Sequence, residues 1–447
     1  MNLERLLRAR AEADRPLRVG LIGAGKFGTM FLSQVARTPG MQLLAVADLD
    51  PQRARRALAE TGWPAERYAA ASAAAALADG TTWITDDGAA LIDADGLEVV
   101  IEATGVPEVG VVHALRCFDR GRHVVMVNVE ADVLVGPLLA RRAAQAGVVY
   151  SLAYGDQPAL ICEQVDWARA AGFEVVAAGK GTLYLPEFHA STPDTVWHHY
   201  GLSAERAAGS GMNAKMFNSF LDGTKSGIEM AAVANATGLR PPAAGLAFPA
   251  VGTGELAARL IPRAAGGVLE QSGMVEVVSS RRRDGVDLAD DLRWGVYVTF
   301  VAPSDYVERC FADYGLVTDP SGRYSALWRP YHLIGLELGI SVAWAGLLQL
   351  PTGCARGWVA DVAAVAKRDL PAGTRLDGEG GYCVWGRVLP AAQSLALGAV
   401  PIGLAHGITL ARPVAVGQAV RWEDVSAPPD SPALQLRRAM ERELAPG

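Results

Sequence analysis

Lys215, Asn218, Ser219, Asp222, Lys225, Ser226 and Glu229 stand at offsets of 0, 3, 4, 7, 10, 11 and 14 along one stretch of this chain. At 100° per residue these positions share an arc of about 120° on a helix. Between them lie Met216, Phe217, Phe220, Leu221, Gly223, Thr224, Gly227 and Ile228, where only Thr224 adds a polar side chain. A surface helix has the opposite proportion, a limited apolar stripe on a polar cylinder. The pattern therefore predicts a buried helix whose narrow polar face lines a wet or ligand-filled cleft. Unpaired charges there would cost on the order of several kcal/mol each. Asp222 with Lys225, and Lys225 with Glu229, have the i, i+3 and i, i+4 spacings of helical ion pairs. A lysine held among carboxylates can pass a proton to a substrate oxygen while a hydride moves at carbon. Lys225, Asp222, Glu229 and the separate Lys180 are thus the candidate catalytic residues. Lys215, Asn218, Ser219 and Thr224, with Asn213 and His189, form the candidate substrate-binding set, suited to an anionic, oxygen-rich small molecule. The competing reading is an internal polar network that satisfies itself and meets no substrate.

The elements that must position such a site begin with "PLRVGLIGAGKFG", an apolar strand from Leu17 to Ile22 running into Gly23, Gly25, Lys26, Phe27 and Gly28. A helical pattern and a second strand, "MQLLAVAD", follow. Strand, G-x-G-x-x-G and helix in that order predict a Rossmann-type dinucleotide site, with backbone N–H groups of the helix start facing the pyrophosphate. Asp48, 20 residues beyond Gly28, is placed to accept hydrogen bonds from ribose hydroxyls, which favours NAD. Arg53, Arg55 and Arg56 follow closely and either cover a 2′-phosphate, as NADP requires, or form a solvated helix face. Further buried-strand patterns at 97–105 and 122–133 bring Thr104, Gly105, Asn128 and Glu130 towards the nicotinamide end. For Asn128 and Glu130 a buried structural role competes with catalysis.

From 151 to 350, strand-like and helix-like pieces alternate. One strand is expected to start at Phe173 and to turn at Gly179-Lys180-Gly181, ahead of an irregular stretch with Glu187, His189, Ser191, His198 and His199. That cluster matches no defined metal-ligand spacing, so a divalent metal has no sequence support. From 351 to 447 short β-rich pieces and Gly-containing turns suggest a small β domain ending in a charged helix or tail. The expected organisation is 1–150 dinucleotide binding, 151–350 substrate binding and dimerisation, and 351–447 the β module, an α/β fold with α+β and β-rich additions.

Composition narrows the function classes. A net charge of −7 with mixed signs argues against a nucleic-acid surface, and the basic run "SSRRRDGVD" reads as a solvated loop. Five widely spaced cysteines without a C-x-x-C pair argue against a disulfide framework or structural zinc. Without a long apolar run or a secretory-type leader, the expectation is a cytoplasmic protein that does not enter membranes.

"VGLIGAGKFGTMFLSQVARTPG", "GKGTLYLPEFHASTPDTVW", "MNAKMFNSFLDGTKSGIEMAAVANATGL" and "AKRDLPAGTRLD" resemble the bacterial 1-deoxy-D-xylulose 5-phosphate reductoisomerase-like family over nearly the whole chain. The resemblance implies a homoserine-dehydrogenase-type oxidoreductase core, a carboxyl-terminal SAF domain, a nicotinamide cofactor, usually phosphorylated, and a homodimer or homotetramer. It also implies reductive isomerisation of a deoxyketose phosphate to a branched polyol phosphate, or action on another branched sugar acid or polyol. Homoserine dehydrogenases separate an aspartate and a lysine on the corresponding helix by three residues, whereas two separate Asp222 and Lys225 here. A cofactor-bound sensor that no longer catalyses is the alternative from outside the enzymes.

Overall fold

The first strand forms where the apolar run predicts it. In the computed structural model, which describes residues 2–209, 212–426 and 430–445, β1 (Leu17–Ile22) is buried along nearly its whole length. It is joined by β2 (Met41–Ala47), β3 (Trp83–Thr85), β4 (Val99–Glu102), β5 (His123–Met126) and β6 (Tyr150–Leu152) in one parallel sheet of order β3-β2-β1-β4-β5-β6. Strands covered on both faces need near-continuous apolar runs, and β1, β2 and β4 have them, interrupted only by Arg18, Gln42 and Glu102. This is the doubly wound Rossmann-like order, which reverses direction between β1 and β4 and places ligands beyond the strands' carboxyl ends.

The chain divides into two compact units. The Rossmann-like unit contains residues 1–160 but also 333–356 and 431–440, so it is assembled from three segments rather than from the first 150 residues. Leu338 and Val342 lie in the same core cluster as Leu17, Leu21, Phe31 and Ile101. The terminal helix Pro432–Glu443 buries Leu436, Arg437 and Met440, and Arg437 donates to the Leu134 carbonyl at 3.3 Å. Of the charged helix or tail expected from sequence, the helix forms, and over 431–440 it belongs to the Rossmann-like unit.

The second unit contains 161–332, 357–430 and 441–447, so the β-rich tail groups with the middle region instead of forming a third body. Its main sheet has the order β10-β9-β7-β8, from β7 (Glu174–Thr182), β8 (Met274–Ser279), β9 (Val296–Val301) and β10 (Tyr324–Arg329). β7 pairs parallel with β8 and antiparallel with β9. Two antiparallel pairs follow, β11 (Ala360–Ala366) with β13 (Val384–Pro390), and β12 (Arg375–Asp377) with β14 (His406–Thr409).

Gly179-Lys180-Gly181 does not turn: it lies inside β7. A Cβ at Gly179 would run into the Glu276 carbonyl and one at Gly181 into the Leu292 carbonyl. These glycines mark close backbone approach, the other use of glycine in a strand.

Asp132, buried in the helix Val129–Gln145, accepts from the Tyr150 hydroxyl at 3.0 Å, while its second oxygen has no hydrogen-bond partner among the described residues. Burial pushes its carboxyl up to about 7. The folded chain therefore holds this proton to higher pH than the unfolded chain. The associated stability is present below about pH 4 and lost as pH rises towards 7. Asp132→Asn, which keeps the acceptor for Tyr150 but cannot ionise, should gain thermal stability relative to the parent between about pH 5 and about pH 8. A Tm difference that stays constant across that range would contradict the assignment.

Candidate functional site

In the Rossmann-like unit, Gly23 has φ +100°, and a Cβ there would strike the Ala103 carbonyl. A Cβ at Gly28 would strike the Gly23 carbonyl, so both glycines are required by backbone packing. Gly25 differs: a Cβ there meets nothing within 4 Å, and it begins the helix Lys26–Val35 without a side-chain cap. Free N–H groups and open space at a helix start fit a dinucleotide's phosphates. Lys26 is exposed, and Phe27 packs against the core.

Asp48 is not open to a ribose in this conformation. It accepts from Ala24 N at 2.8 Å, from Asp50 N at 2.9 Å and from the Arg53 guanidinium at 2.6 and 3.0 Å. Its carboxylate ties the glycine loop to the end of β2, and Arg53, half-exposed, neutralises it. Of the two cofactor-binding candidates, Asp48 and Arg53, each is the other's ion-pair partner here. Arg56 pairs with Asp50 instead.

Beyond β4 and β5 the structure gathers the expected Thr104 and Asn128 with Glu102 and His113, which sequence reading missed. Glu102, wholly buried at the end of β4, accepts from the Thr104 hydroxyl at 2.5 Å and lies 3.3 Å from His113 Nδ1. Asn128 caps the helix Val129–Gln145 by accepting from Ala131 N at 3.2 Å. Its Nδ2 and the second oxygen of Glu102 are buried without hydrogen-bond partners among the described residues, and a Cβ on Gly110 would touch both. The signal was an acid inside the otherwise apolar "LEVVIEATG". Gly105 follows with φ +69°, and Glu130 is half-buried in the helix's first turn.

In the second unit the polar stripe is not one helix. Ala214–Leu221 ends at Asp222, Gly223 takes φ +88°, and Thr224–Thr237 begins anew. A continuous projection fails across that bend, because a left-handed residue redirects the axis. Burial of the stripe is nevertheless deep: Asn218, Ser219, Asp222, Thr224, Ser226 and Glu229 are all between 0% and 3% exposed. Lys215 and Lys225 are half-buried.

The partners differ from those that helical spacing predicts. Asp222 Oδ2 lies 2.7 Å from Lys367 Nζ, and its Oδ1 accepts from Thr224 N at 2.9 Å. Lys367, from just beyond β11, also donates to the Ser191 and Gly381 carbonyls at 2.7 and 2.8 Å. Burial pushes the Asp222 carboxyl above its ordinary range, and the Lys367 charge opposes that rise. Glu229 pairs with Lys180 of β7, both nearly inaccessible.

The expected substrate-binding residues are largely occupied by the protein itself. Asn213 caps the first helix through Lys215 N and Met216 N at 3.0 and 3.2 Å. Lys215 donates to the Asp377 carbonyl and Ser219 to Glu379. Asn218 donates to the Ser191 and Gly380 carbonyls at 3.1 and 2.9 Å, and Thr224 accepts from Gly386 N at 2.8 Å. Four residues assigned to a ligand therefore hold the 377–386 segment, which no local spacing foretells.

His189 stands between the Asp222 carbonyl, 2.7 Å from Nδ1, and the Tyr184 hydroxyl, 2.8 Å from Nε2. Nδ1–H donates to the carbonyl and Nε2 accepts from tyrosine. Burial lowers its pKa to about 4, so the ring is neutral near pH 7. Glu187 and His198 are exposed, and no group of three or more His, Cys, Asp or Glu suited to a metal ion occurs among the described residues. No described helix is long and apolar enough to cross a membrane.

Residues 155–338 match the family model described as the catalytic domain of oxidoreductase DRL. The matched stretch is thus similar to an oxidoreductase domain. It holds Lys180, His189, the Asp222–Gly223 bend and Glu229, but neither the glycine loop nor Lys367. No curated protein matches the chain. Among solved structures, an oxidoreductase domain protein from Kribbella flavida is similar at 18% identity over 38% of this chain and 42% of its own, with a TM-score of 0.29. The WlbA dehydrogenase from Bordetella pertussis, in complex with NADH and UDP-GlcNAcA, is similar at 18% over 39% and 46%, TM-score 0.29. Myo-inositol dehydrogenase from Lactobacillus casei, in complex with NAD(H) and myo-inositol, is similar at 16% over 41% and 50%, TM-score 0.28. The similarity spans half or less of each of these relatives.

The glycine-loop geometry yields a direct expectation. Asp48→Ala removes the acceptor for Ala24 N and the partner of Arg53, and should cost about 1–3 kcal/mol. Amide exchange at residues 23–28 should quicken. Unchanged exchange there would show that Asp48 does not hold the loop.

Proposed function

We propose that the protein is an NAD(P)-dependent oxidoreductase acting on a small, anionic, hydroxylated carbonyl compound of the sugar phosphate or sugar acid class. The finer reading is reductive isomerisation of 1-deoxy-D-xylulose 5-phosphate to a branched polyol phosphate. The observation that carries the proposal is the buried Lys180–Glu229 pair, with half-buried Lys225 one turn before Glu229, inside the stretch that matches an oxidoreductase catalytic domain. The glycine loop supports the cofactor half.

When bound, the nicotinamide exchanges a hydride with the substrate carbon. This chain's part is to hold charge and move a proton. Glu229 gives the buried Lys180 ammonium a counter-charge, which offsets the cost of holding it away from bulk water. An ammonium so placed stabilises a developing alkoxide and can deliver a proton to it, while Lys225 attracts the anionic end of the substrate. In the isomerising version, the same lysines stabilise the oxyanion through which the carbon skeleton shifts before reduction. The paired strands β11–β13 and β12–β14 are compatible with the SAF-like module that the sequence resemblance implies. Exposed Trp294, Leu327, Trp328 and Tyr331, on and around the edge strand β10, support self-association as a homodimer or homotetramer.

Purified protein should bind NADH or NADPH by fluorescence and oxidise it with one member of a panel of ketose phosphates and branched sugar acids. Lys225→Ala should retain dinucleotide binding and lower kcat by about 10²-fold or more. Dinucleotide binding with no oxidation across the panel would favour the sensor reading. Joint loss of binding and turnover in the variant would make Lys225 structural.

A further inference from the structure

A pocket of about 130 Å³ lies in the second unit, lined by His189, Gly223, Gly227, Phe248, Trp385 and Arg387 together with the 244–246 loop. Two residues along an α-helix turn the face by about 200°. Gly227 therefore points away from Lys225 and Glu229, and the pocket does not share the lysine-bearing face of the helix Thr224–Thr237.

The walls are held by many contacts. Trp385 stacks on His189 with centroids 3.8 Å apart, and Tyr184 stacks on Phe248 at 4.0 Å. Phe248 has φ +50°, a strained conformation for a bulky residue that persists only where its surroundings enforce it. Here buried Glu276 accepts from Ala247 N and Phe248 N at 3.1 and 3.3 Å, while Arg283 donates to both their carbonyls. Strain maintained by this many partners is characteristic of ligand clamps.

The pocket's single charge is Arg387. Its guanidinium lies 5.1 Å from the Trp385 ring centroid, and among the described residues it makes no hydrogen bond or ion pair. Burial pushes it below its ordinary pKa, as expected of a cation without a counter-charge. The volume equals about four waters, room for one ring.

We infer that this pocket binds a small carboxylate with a flat, ring-like body, its ring against Trp385 and its carboxylate on Arg387. The geometry suits that class because the aromatic walls take the ring's face and the planar guanidinium can donate two parallel hydrogen bonds to a carboxylate. The inference is independent of the oxidoreductase reading.

Calorimetric titration of the full chain with benzoate, with neutral benzamide as the control, tests it. Benzoate should bind with a Kd at or below the millimolar range and at least tenfold more tightly than benzamide. Arg387→Gln should erase that preference, while Lys225→Ala, on the opposite helix face, should leave benzoate affinity within twofold. No benzoate binding, equal binding of benzamide to the parent, or loss of benzoate binding in Lys225→Ala would each overturn the proposal. The benzamide comparison uses the parent protein and stands even where Arg387→Gln fails to fold.

Discussion

The buried contact between Asp222 and Lys367 is the constraint on which the second unit depends. Asp222 ends one helix, and its carboxylate receives the first N–H of the next, so the charge sits where the chain bends. A bare carboxylate at that depth is untenable. Its counter-charge comes from 145 residues further along the chain, from Lys367, whose ammonium also clamps the Ser191 and Gly381 carbonyls. One ammonium thus ties together the irregular segment after β7, the bend and the β-rich C-terminal stretch. Asn218, Lys215, Ser219 and Thr224 add their bonds to the same stretch, and Asn235 accepts from Val359 N and Ala360 N at 2.8 and 2.9 Å. Further along the second helix, Glu229 forms a separate buried pair with Lys180 of β7.

The Rossmann-like unit is governed by a similar economy of charge. Asp48 bonds the glycine loop through Ala24 N and pairs with Arg53, so the loop is tied to the end of β2 without a ligand's help. Preorganised donors at the start of a helix bind phosphate without the cost of ordering a loop. Glu102 and Asn128 are the contrasting case, each keeping one buried polar atom without a hydrogen-bond partner among the described residues, at the strand ends where this fold places its ligands.

Local features were legible from sequence and distant ones were not. Apolar runs reproduced β1 from Leu17 to Ile22 without error, and the glycine spacing marked Gly23 and Gly28, because those signals arise from contacts within a few residues. The inside-out polarity of 215–229 correctly signalled burial. It misled on geometry, since Gly223 breaks the helix and the 100° projection assumes that it does not. It misled on partners as well, because a helical spacing counts only neighbours on one helix. Lys367 and the 377–386 segment reach the stripe through tertiary folding. The same blindness hid the return of 333–356 and 431–440 to the first unit, and it mistook the glycines beside Lys180 for a turn when backbone carbonyls demanded them.

A double-mutant cycle on Asp222 and Lys367 tests this account most directly, with Asp222→Asn, Lys367→Met and the pair compared by urea denaturation. Removing one partner strands a buried charge or its clamp, so each single variant should lose about 3–5 kcal/mol, while the double variant should lose far less than the sum. Losses that simply add would contradict it, showing that the two residues stabilise the fold independently and that the bend does not depend on the lysine of the C-terminal stretch.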